Sequence, residues 1–372
     1  LRTARDRERT EAIAAGKLAD PNKRRRLSEA IVVVGTCEDM CPEFERVQRT
    51  AQNDVWAEEA DPATADLDTS QRIPDETRMV KRYKRAAAGE DEQLPSDLRP
   101  AHVLKQTCDY LFHDVLRNAP DWSVHPFIWN RTRAIRNDFS IQQFAKPAEL
   151  SLAIECFERI ARFHLLSLHQ CSVPDAPDKY DYQQDREQLD RTLVSLMQYY
   201  DDSRGRILLP NEAEFRAYSI LFQLQSSDLE DRVQAWPREV VDNQRVQIAL
   251  KIASAAGNTE DLHGPMPRHM TRYVIAQQHW QRFWELVRSR SVSYLMGCAA
   301  ELHFQLVRRL VLNSLLVAFR ASKGRQTTDW TLEELCEVLN FDSEDDVIDF
   351  CQHYGFEFRQ REDGLQYIDL NS

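Results

Sequence analysis

Apolar residues recur every three or four positions along most of the chain, and short breaks containing proline or glycine interrupt them. In one such stretch Leu104, Cys108 and Leu111 repeat at the spacing of a buried helix face. Stretches of this kind follow one another as far as Gly324. The breaks are short, which makes consecutive helices antiparallel, and no strict repeat length is visible. The pattern predicts an α-solenoid of degenerate helical repeats.

The breaks also bound the individual helices that the pattern predicts. These helices cover residues 78–85, 100–115, 126–144, 147–168, 182–200, 210–225, a short stretch near Leu229, 237–256, 267–290 and 292–322. Proline opens several of them and glycine ends others, as the backbone preferences of the two residues require. The chain has only 10 glycines, fewer than a β-rich fold of this size needs for its turns, which also favours an all-helical body.

The C-terminal residues have a different pattern. Thr331 and Ser343 are each placed to cap a helix, and Gly355 ends the second one. Two alternating stretches, 356–358 and 366–370, then predict a β-hairpin. Helix, turn, helix and hairpin together predict a winged helix. Helical repeats capped by a winged helix are typical of a PCI domain, the module shared by scaffold subunits of the proteasome lid, the signalosome and translation initiation complexes.

The predicted fold class is therefore all-α: an antiparallel helical-repeat solenoid of the PCI type, capped by a C-terminal winged helix with a small β-hairpin. We predict a basic N-terminal extension with a signature motif and a linker at 1–74, the helical-repeat body at 75–324, and the winged-helix part at 325–372. Residues 1–30 are polar and basic, which is typical of a nuclear-import signal, an RNA-contacting arm or a solvated extension. Residues 51–74 are predicted to be a linker that lies across the body or is mobile.

Charge and composition narrow the range of partners. Of the 372 residues 42% are hydrophobic and 29% are charged, and the net charge is −12, so only local basic patches can bind nucleic acid. The 8 cysteines lie mostly among apolar helical residues, which indicates a reducing compartment. The longest apolar stretch, 294–319, contains Glu301, Arg308 and Arg309 and predicts a buried helix, so we expect no membrane insertion.

One stretch, residues 35–46 (GTCEDMCPEFER), follows a short apolar run and opens a helix. Gly35 is expected to allow a sharp turn, because glycine adopts a positive φ without steric cost. Thr36 or Asp39 can cap the helix, and Pro42 suits its first turn. The residues alone predict an extended segment, a turn and a helix start.

The same stretch resembles the signature at the head of the SAC/GANP family, the large scaffold subunit of the TREX-2 mRNA-export complex. Glu38 stands where the family usually has proline. Further resemblance follows in order at 80–83 (VKRY), 98–100 (LRP) and 127–139 (FIWNRTRAIRNDF). The family also carries a PCI module, so the resemblance and the helical pattern imply the same fold. We expect the chain to be the middle region of such a subunit.

The resemblance implies partners as well as a fold. The signature would bind partners, and residues 39–43 would contact an RNA helicase of the DEAD-box class. The predicted partner-binding residues are Gly35, Thr36, Cys37, Asp39, Met40, Cys41, Pro42 and Glu43. The winged helix would pair with a second PCI subunit that also holds a small acidic subunit. Contacts with mRNA, an export receptor and nucleoporins are further implied, as is a location in the nucleus, at the pores of the nuclear envelope.

The cysteines of the signature do not complete a reactive or metal site. Cys37 and Cys41 supply only half of a zinc site, because no second cysteine or histidine pair lies nearby in sequence. A nucleophilic thiol needs a positioned base, and no such arrangement is visible. No phosphate-binding glycine loop, HExxH or GxSxG sequence occurs. We expect no catalytic residue, metal or cofactor, and we predict that the two thiols pack with Met40 against the body or a partner.

Two regions are candidates for contact with nucleic acid. The second helix of the predicted winged helix is acidic, which disfavours reading of a DNA groove. Four basic residues near this helix either contact the RNA backbone or are ordinary surface charges: Lys323, Arg325, Arg359 and Arg361. Residues 129–138 mix aromatic residues with arginines, which suits single-stranded RNA. In the interpretation that we favour, these arginines instead pair with Asp138 and neighbouring helices.

The predicted function is a non-catalytic scaffold of a TREX-2-type complex that pairs with a second PCI subunit, contacts mRNA and supports nuclear mRNA export coupled to transcription. One alternative is a PCI scaffold of a proteasome-lid or translation-initiation complex, which leaves the signature unexplained. Another is an autonomous winged-helix regulator that binds nucleic acid, which the acidic second helix disfavours. An enzyme ranks third and would need an activity that depends on Cys37 or Cys41.

Overall fold

The structure, a computed structural model, describes residues 2–20, 23, 26, 31–85, 93–172, 180–224, 226, 228–257, 279–319 and 328–370. The chain divides into two compact units, Leu1–Pro210 and Asn211–Ser372. Most of the described residues are helical, and the strands among them form a single two-stranded sheet near the C-terminus. The prediction of a helical body with a small C-terminal hairpin is confirmed.

The first unit is built on three long helices and a shorter one that packs with them. Its helices are α1 (Arg2–Ala14), α2 (Glu43–Ala51), α3 (Ala101–Asp109), α4 (His125–Gln142), α5 (Pro147–Gln170) and α6 (Tyr182–Ser203). A π-helical turn, Tyr110–Val115, continues α3. Helix α5 packs against α3, α4 and α6, and the rings of Phe139 and Phe157 meet between α4 and α5 with centroids 5.9 Å apart. These four helices bury the apolar faces that the spacing of the sequence predicts.

The second unit contains shorter helices and the sheet. Its elements are α7 (Glu212–Phe222), α8 (Leu229–Gln234), α9 (Arg238–Val241), α10 (Gln244–Gly257), α11 (His279–Val287), α12 (Tyr294–Glu301), α13 (Phe304–Phe319), α14 (Leu332–Leu339), α15 (Glu344–His353), β1 (Glu357–Gln360) and β2 (Gln366–Asp369). Helix α7 packs against α10 and α12, and α10 also packs against α11. No described helix is long and apolar enough to cross a membrane.

Local capping sets the helices of the C-terminal part. The Thr331 side chain accepts a hydrogen bond from the N–H of Glu334, and the Glu334 carboxylate bonds back to Thr331, which completes a capping box before α14. Ser343 caps α15 in the predicted way. Strands β1 and β2 pair antiparallel, and Gly364 in the turn between them has a φ of +88°. The predicted helix, turn, helix and hairpin are confirmed.

An arginine of α13 fastens this C-terminal part. Arg308 donates from Nε to the carbonyl of Leu339 at 3.0 Å and from Nη2 to that of Asn340 at 2.6 Å. Its guanidinium also lies 3.6 Å from the centroid of the Phe341 ring. Arg308 therefore satisfies carbonyls at the end of α14 that the helix leaves unpaired.

The structure corrects several helix predictions. Residues 78–85 are not a basic helix. From Met79 the chain has no regular secondary structure, and its N–H groups bond to distant partners, as Val80 does to Glu59 and Lys81 to Met40. The stretch 237–256 is broken into α9 and α10, and the stretch 292–322 into α12 and α13. Of the helix predicted at 267–290, only the part from α11 onward lies among the described residues.

Part of the stretch predicted as a linker packs against the rest of the first unit. Glu59 and Ala60 are fully buried, and Ala60 forms a bridge with Pro74. The Arg72 side chain donates to the carbonyl of Val55 at 3.1 Å. Residues 56–60 lie across the body, because the Trp56 ring contacts that of Phe127 and Glu59 pairs with Arg131, and this was one of the two arrangements expected for the linker. Residues 61–73 are mostly exposed. The domain boundaries at 74 and 324 stay a prediction.

Candidate partner-binding and nucleic-acid interfaces

The signature motif begins as an extended segment that backbone hydrogen bonds hold in place. The N–H of Gly35 donates to Oε1 of Gln142 in α4 at 2.9 Å. The N–H groups of the next two residues donate to the carbonyls of Pro95 and Leu98, at 2.9 and 3.0 Å. The expectation of an extended segment before the helix is confirmed, and its partners lie far along the chain.

Gly35 is required here for a reason other than the one expected. Its φ is not positive, so it does not make a left-handed turn. A Cβ at this position would lie 2.7 Å from the carbonyl carbon of Leu98 and would also meet the side chain of Gln142. The residue is glycine because two segments of backbone approach too closely for any side chain.

The extended segment alternates between a buried and an exposed face. Val33, Gly35 and Cys37 point inward, whereas Val34 is 69% exposed and Thr36 is exposed as well. This is the two-residue period of an extended chain. Of the predicted partner-binding residues, Gly35, Cys37, Cys41 and Pro42 are buried, Met40 is partly buried, and Thr36, Asp39 and Glu43 are exposed. Only the exposed part is positioned to meet a partner.

The turn into α2 is closed by an arginine rather than by a side-chain cap. The residue that caps α2 is Pro42, and neither Thr36 nor Asp39 accepts a bond from the first turn of the helix, contrary to expectation. Instead, Arg46 donates from Nη1 to Asp39 at 2.7 Å and to the carbonyl of Cys41 at 2.8 Å. Acidic Glu43 lies in the first helical turn, where the helix dipole favours negative charge.

Both cysteines of the signature are buried thiols. The Sγ of Cys37 donates to the carbonyl of Asp39 at 3.3 Å, and Cys41 is completely shielded from solvent. Burial is the main cause that raises the pKa of each thiol, which makes the reactive thiolate scarce. In the part of the chain that the structure describes, no group of three or more potential ligands could hold a metal ion.

A buried carboxylate of α4 ties the motif stretches together. Asp138 accepts from Nζ of Lys81 at 2.6 Å and from Nε of Arg99 at 2.8 Å. Arg99 in turn donates to the carbonyl of Met40 at 3.2 Å. One turn further along α4, Gln142 donates to the carbonyl of Arg99 while it accepts from Gly35. Asp138 and Gln142 thus lie on one face of α4, and their hydrogen bonds hold the signature against that helix.

A second buried carboxylate, that of Glu59, fixes the chain beside α2. Glu59 accepts from Nη1 of Arg49 at 3.0 Å, from Nη2 of Arg131 at 3.1 Å and from the N–H of Val80 at 3.0 Å. Burial alone would raise the pKa of Glu59, but the charges of Arg131 and Arg49 outweigh burial and lower it. The carboxylate is therefore held ionised between two arginines.

These networks show what the motif residues do in this fold. Three of the motif stretches meet at one buried site beside the signature. They contribute Lys81, Arg99 and Asp138. Sequence reasoning missed the roles of Glu59 and Gln142. For Gln142 the available signal was a polar residue on the buried face of a predicted helix, but its partners could not be inferred. Glu59 lies in the stretch predicted as a linker and gave no such signal.

The arginines of the 129–138 stretch have separate surroundings. Arg131 is buried and pairs with Glu59 rather than with Asp138. The guanidinium of Arg133 lies 3.9 Å from the ring centroid of Tyr83. Arg136 donates to Oε1 of Gln188 in α6 at 2.6 Å. The favoured structural interpretation therefore holds for Arg131, with a different carboxylate, and for Arg136, which bonds to a neighbouring helix.

The candidate RNA-binding arginines of the hairpin already have carboxylate neighbours. Arg359 lies 2.7 Å from Asp369 and its side chain is 49% exposed. Arg361 donates from Nε to Asp363 at 2.8 Å. Lys323 and Arg325 lie outside the described residues. An RNA phosphate could reach Arg359 and Arg361, but it would compete with these acids.

The second helix of the C-terminal part is acidic on its surface. Asp342 lies in the turn before this helix and is exposed. The exposed carboxylates of the helix itself are those of Glu344, Asp345, Asp346 and Asp349. They repel a phosphate backbone, so the geometry supports the expectation that this helix does not read a DNA groove.

The fold and these sites define a mostly helical protein whose N-terminal signature is clamped onto a helical body by buried ion pairs. A model of the SAC3/GANP family matches residues 40–360, which is most of the chain. The chain therefore belongs to the SAC3/GANP family, as the resemblance of the motifs implied.

Relatives from three organisms match most or all of this chain. SAC3 family protein 1 of Schizosaccharomyces pombe is 38% identical over 100% of the chain, and Protein xmas of Drosophila melanogaster is 30% identical over 88%. SAC3 family protein B of Arabidopsis thaliana is 27% identical over 88%. The matched regions make up 34%, 15% and 18% of those proteins, so the chain spans about a third of their length or less.

Proposed function

We propose that this chain is a non-catalytic scaffold of a TREX-2-type complex, that it works in the nucleus at the nuclear pore, and that it supports mRNA export coupled to transcription. The observation that carries this proposal is the SAC3/GANP family match over residues 40–360. The relatives are much longer than this chain, so the activity of a whole subunit is part of the proposal.

The helical body and the C-terminal part would form a PCI module. In this proposal α14, α15 and the β1–β2 hairpin are a winged helix that pairs with a second PCI subunit, which also holds a small acidic subunit. The exposed acids of α15 suit a protein partner better than a nucleic acid. The hairpin arginines Arg359 and Arg361 would contact RNA once the partner completes the basic surface.

The exposed part of the signature would serve a different partner. Thr36, Asp39 and Glu43 face solvent on a segment that the Asp138 and Glu59 networks hold rigid. A preordered surface loses little conformational entropy on binding. We propose that this face contacts an RNA helicase of the DEAD-box class, and that an export receptor and nucleoporins join the same assembly.

Co-expression tests the scaffold role. The chain is expressed with a TREX-2-type PCI subunit and its small acidic subunit, and size-exclusion chromatography with light scattering reports the mass of the product. A stable ternary complex that binds RNA better than the chain alone is expected. A chain that stays monomeric and binds duplex DNA tightly by itself would overturn the scaffold role in favour of an autonomous regulator.

Charge reversal tests the hairpin contact. Arg359→Glu with Arg361→Glu should weaken RNA binding by the assembled complex and leave the helical circular-dichroism signal unchanged. Arg238→Glu is the control, since Arg238 is a 93% exposed arginine side chain of the same unit. Unchanged RNA binding by the double variant would show that the hairpin is not the contact.

A further inference from the structure

Three arginines, Arg133, Arg136 and Arg191, lie close together on the first unit, and among the described residues only Arg191 has a carboxylate within ion-pair distance. Arg133 and Arg136 are three residues apart on α4, so they are neighbours on its surface. Arg136 donates to Gln188 of α6 at 2.6 Å, and Arg191 lies three residues beyond Gln188 on that helix. The contact between Arg136 and Gln188 therefore places Arg191 on the same side.

The charge of Arg136 has no counter-ion in the part of the chain that the structure describes. Its Nε is shielded from solvent and has no hydrogen-bond partner there. Burial, followed by the positive charges of Arg133 and Arg191, lowers the pKa of Arg136 to about 10. Arg136 is partly buried, in contrast to Arg49 and Arg99, which are fully buried and each pair with a carboxylate. Buried charges are normally paired, so an arginine left without an acid indicates a place for an external anion.

The other two arginines are also available to an anion. Arg133 stacks on the Tyr83 ring at 3.9 Å and lies 5.6 Å from the Trp129 ring centroid, but it forms no ion pair within the described ranges. Arg191 is 61% exposed and lies 3.9 Å from Glu187, which is exposed as well. Water screens a pair of this kind, so it contributes little and is easily replaced.

The surroundings of the three arginines select the kind of anion. The N–H of Tyr83 donates to Asn130 of α4 at 3.1 Å, so the Tyr83 ring is held beside the cluster. Lys84 and Arg85 follow it at exposed positions and extend the positive surface. Tyr83 and Trp129 are both partly exposed. Adjacent cations and aromatic rings are the combination that binds a single-stranded backbone and its bases.

We propose that Arg133, Arg136 and Arg191 form a phosphate-binding site for single-stranded RNA, with Tyr83 and Trp129 as flanking surfaces for bases. The site is separate in sequence from the hairpin arginines. It rests on the proposed function only in the choice of RNA as ligand. Two positions on the chain would then contact RNA, one in each unit.

Binding of a fluorescently labelled 15-nucleotide oligouridylate to the chain, followed by anisotropy over a series of salt concentrations, tests the site. The double variant Arg133→Gln with Arg191→Gln should bind about tenfold or more weakly, because charge-assisted contacts to phosphate are lost. The slope of log affinity against log salt should fall by about 1.4, since each contact with a single strand contributes about 0.7. Arg136→Lys should retain part of the affinity.

Arg204→Gln is the matched control. Arg204 lies at the end of the same helix, about 20 Å along its axis from Arg191, and pairs with Asp201. The Arg204→Gln variant should bind the oligonucleotide with the affinity of the parent chain. Circular dichroism and thermal melting of each variant show whether it folds, and Arg191→Gln alone serves if the double variant does not, because Arg191 is exposed.

Three results would overturn this site. One is equal affinity and salt slope for the parent and the double variant. The second is loss of binding only in Arg359→Glu with Arg361→Glu, which would confine RNA to the hairpin. The third is cluster-dependent binding of a phosphoserine peptide with no binding of the oligonucleotide, which would assign the site to a phosphorylated protein. Failure of the ternary complex to assemble, with cluster-dependent RNA binding retained, would sink the scaffold role and leave this site intact.

Discussion

Residues 35–83 and residues 331–370 are held in place by different forces. The first region depends on buried carboxylates, Glu59 and Asp138, that bind arginines and a lysine from other stretches. The second depends on local caps and on an apolar core that includes Leu335 and Val347. The Glu59–Arg131 bond joins residues 72 apart in sequence, whereas the Ser343–Asp346 bond joins residues 3 apart. The region held by long-range ion pairs is therefore the one that a single substitution should destabilise most.

The largest effect is expected from Asp138→Asn. The change leaves Lys81 and Arg99 buried without their shared carboxylate, which should lower the free energy of unfolding by about 3–5 kcal/mol. Urea denaturation followed by circular dichroism measures this. Asp349→Asn, at an exposed position of α15, should change the value by no more than about 0.5 kcal/mol. A loss below about 1 kcal/mol for Asp138→Asn would mean that water already solvates the two cations.

The next effect is expected at Gly35. Gly35→Ala forces apart the backbone at Leu98, so we expect a loss of about 1–3 kcal/mol in urea denaturation. Gly297→Ala is the matched control, because its Cβ would meet nothing within 4 Å and it lies inside α12. Alanine there should be neutral or should stabilise by up to about 1 kcal/mol. Equal effects at the two glycines would contradict the role given to the close backbone approach.

A smaller effect is expected from the cap of α14. Thr331→Ala removes the hydrogen bond to the N–H of Glu334 and should cost about 1 kcal/mol, measured as a shift of the unfolding midpoint. Thr50→Ala, at an exposed position in the last turn of α2, provides the comparison and should change little. If Thr331→Ala is as mild as Thr50→Ala, the C-terminal part does not depend on its capping box.

The last effect concerns acid pH and separates ionic from apolar stabilisation. The pKa of Glu59 is lowered from 4.5, so as the pH falls the unfolded chain binds this proton before the folded chain does. The stabilisation by Glu59 is present above about pH 4.5 and is lost as the pH falls through the lowered pKa, at no more than about 1.4 kcal/mol per pH unit.

Urea denaturation between pH 5 and pH 3 measures this dependence. Glu59→Gln should be less stable than the parent at neutral pH but should lose less stability over that range. Glu344→Gln, at an exposed position of α15, should keep the dependence of the parent. An unchanged acid dependence in Glu59→Gln would show that Glu59 is not the group that titrates.

The comparison also explains which predictions held. The caps at Thr331 and Ser343 and the hairpin were predicted correctly because each is decided by residues close in sequence. Residues 78–85 were predicted as a helix, but the carboxylate of Glu59 and the carbonyl of Met40 take the N–H groups of Val80 and Lys81 instead. The sequence correctly marked Gly35 as a required glycine, but for a positive φ that it does not have. The actual reason, the close approach of the backbone at Leu98, leaves no signal in the neighbouring residues.

The sequence by itself determined the helical class, the C-terminal helices and hairpin, and the family to which the chain belongs. Hydrophobic periodicity, helix caps and sequence motifs are all properties of residues close together in the chain. Only the tertiary structure decided that residues 56–60 pack on the body and that Asp138 pairs with both Lys81 and Arg99. It also decided that Arg136 has no acid beside it among the described residues. The physical reason is that a charge is stabilised by whatever lies within a few ångströms of it, and spacing along the chain does not specify that neighbour.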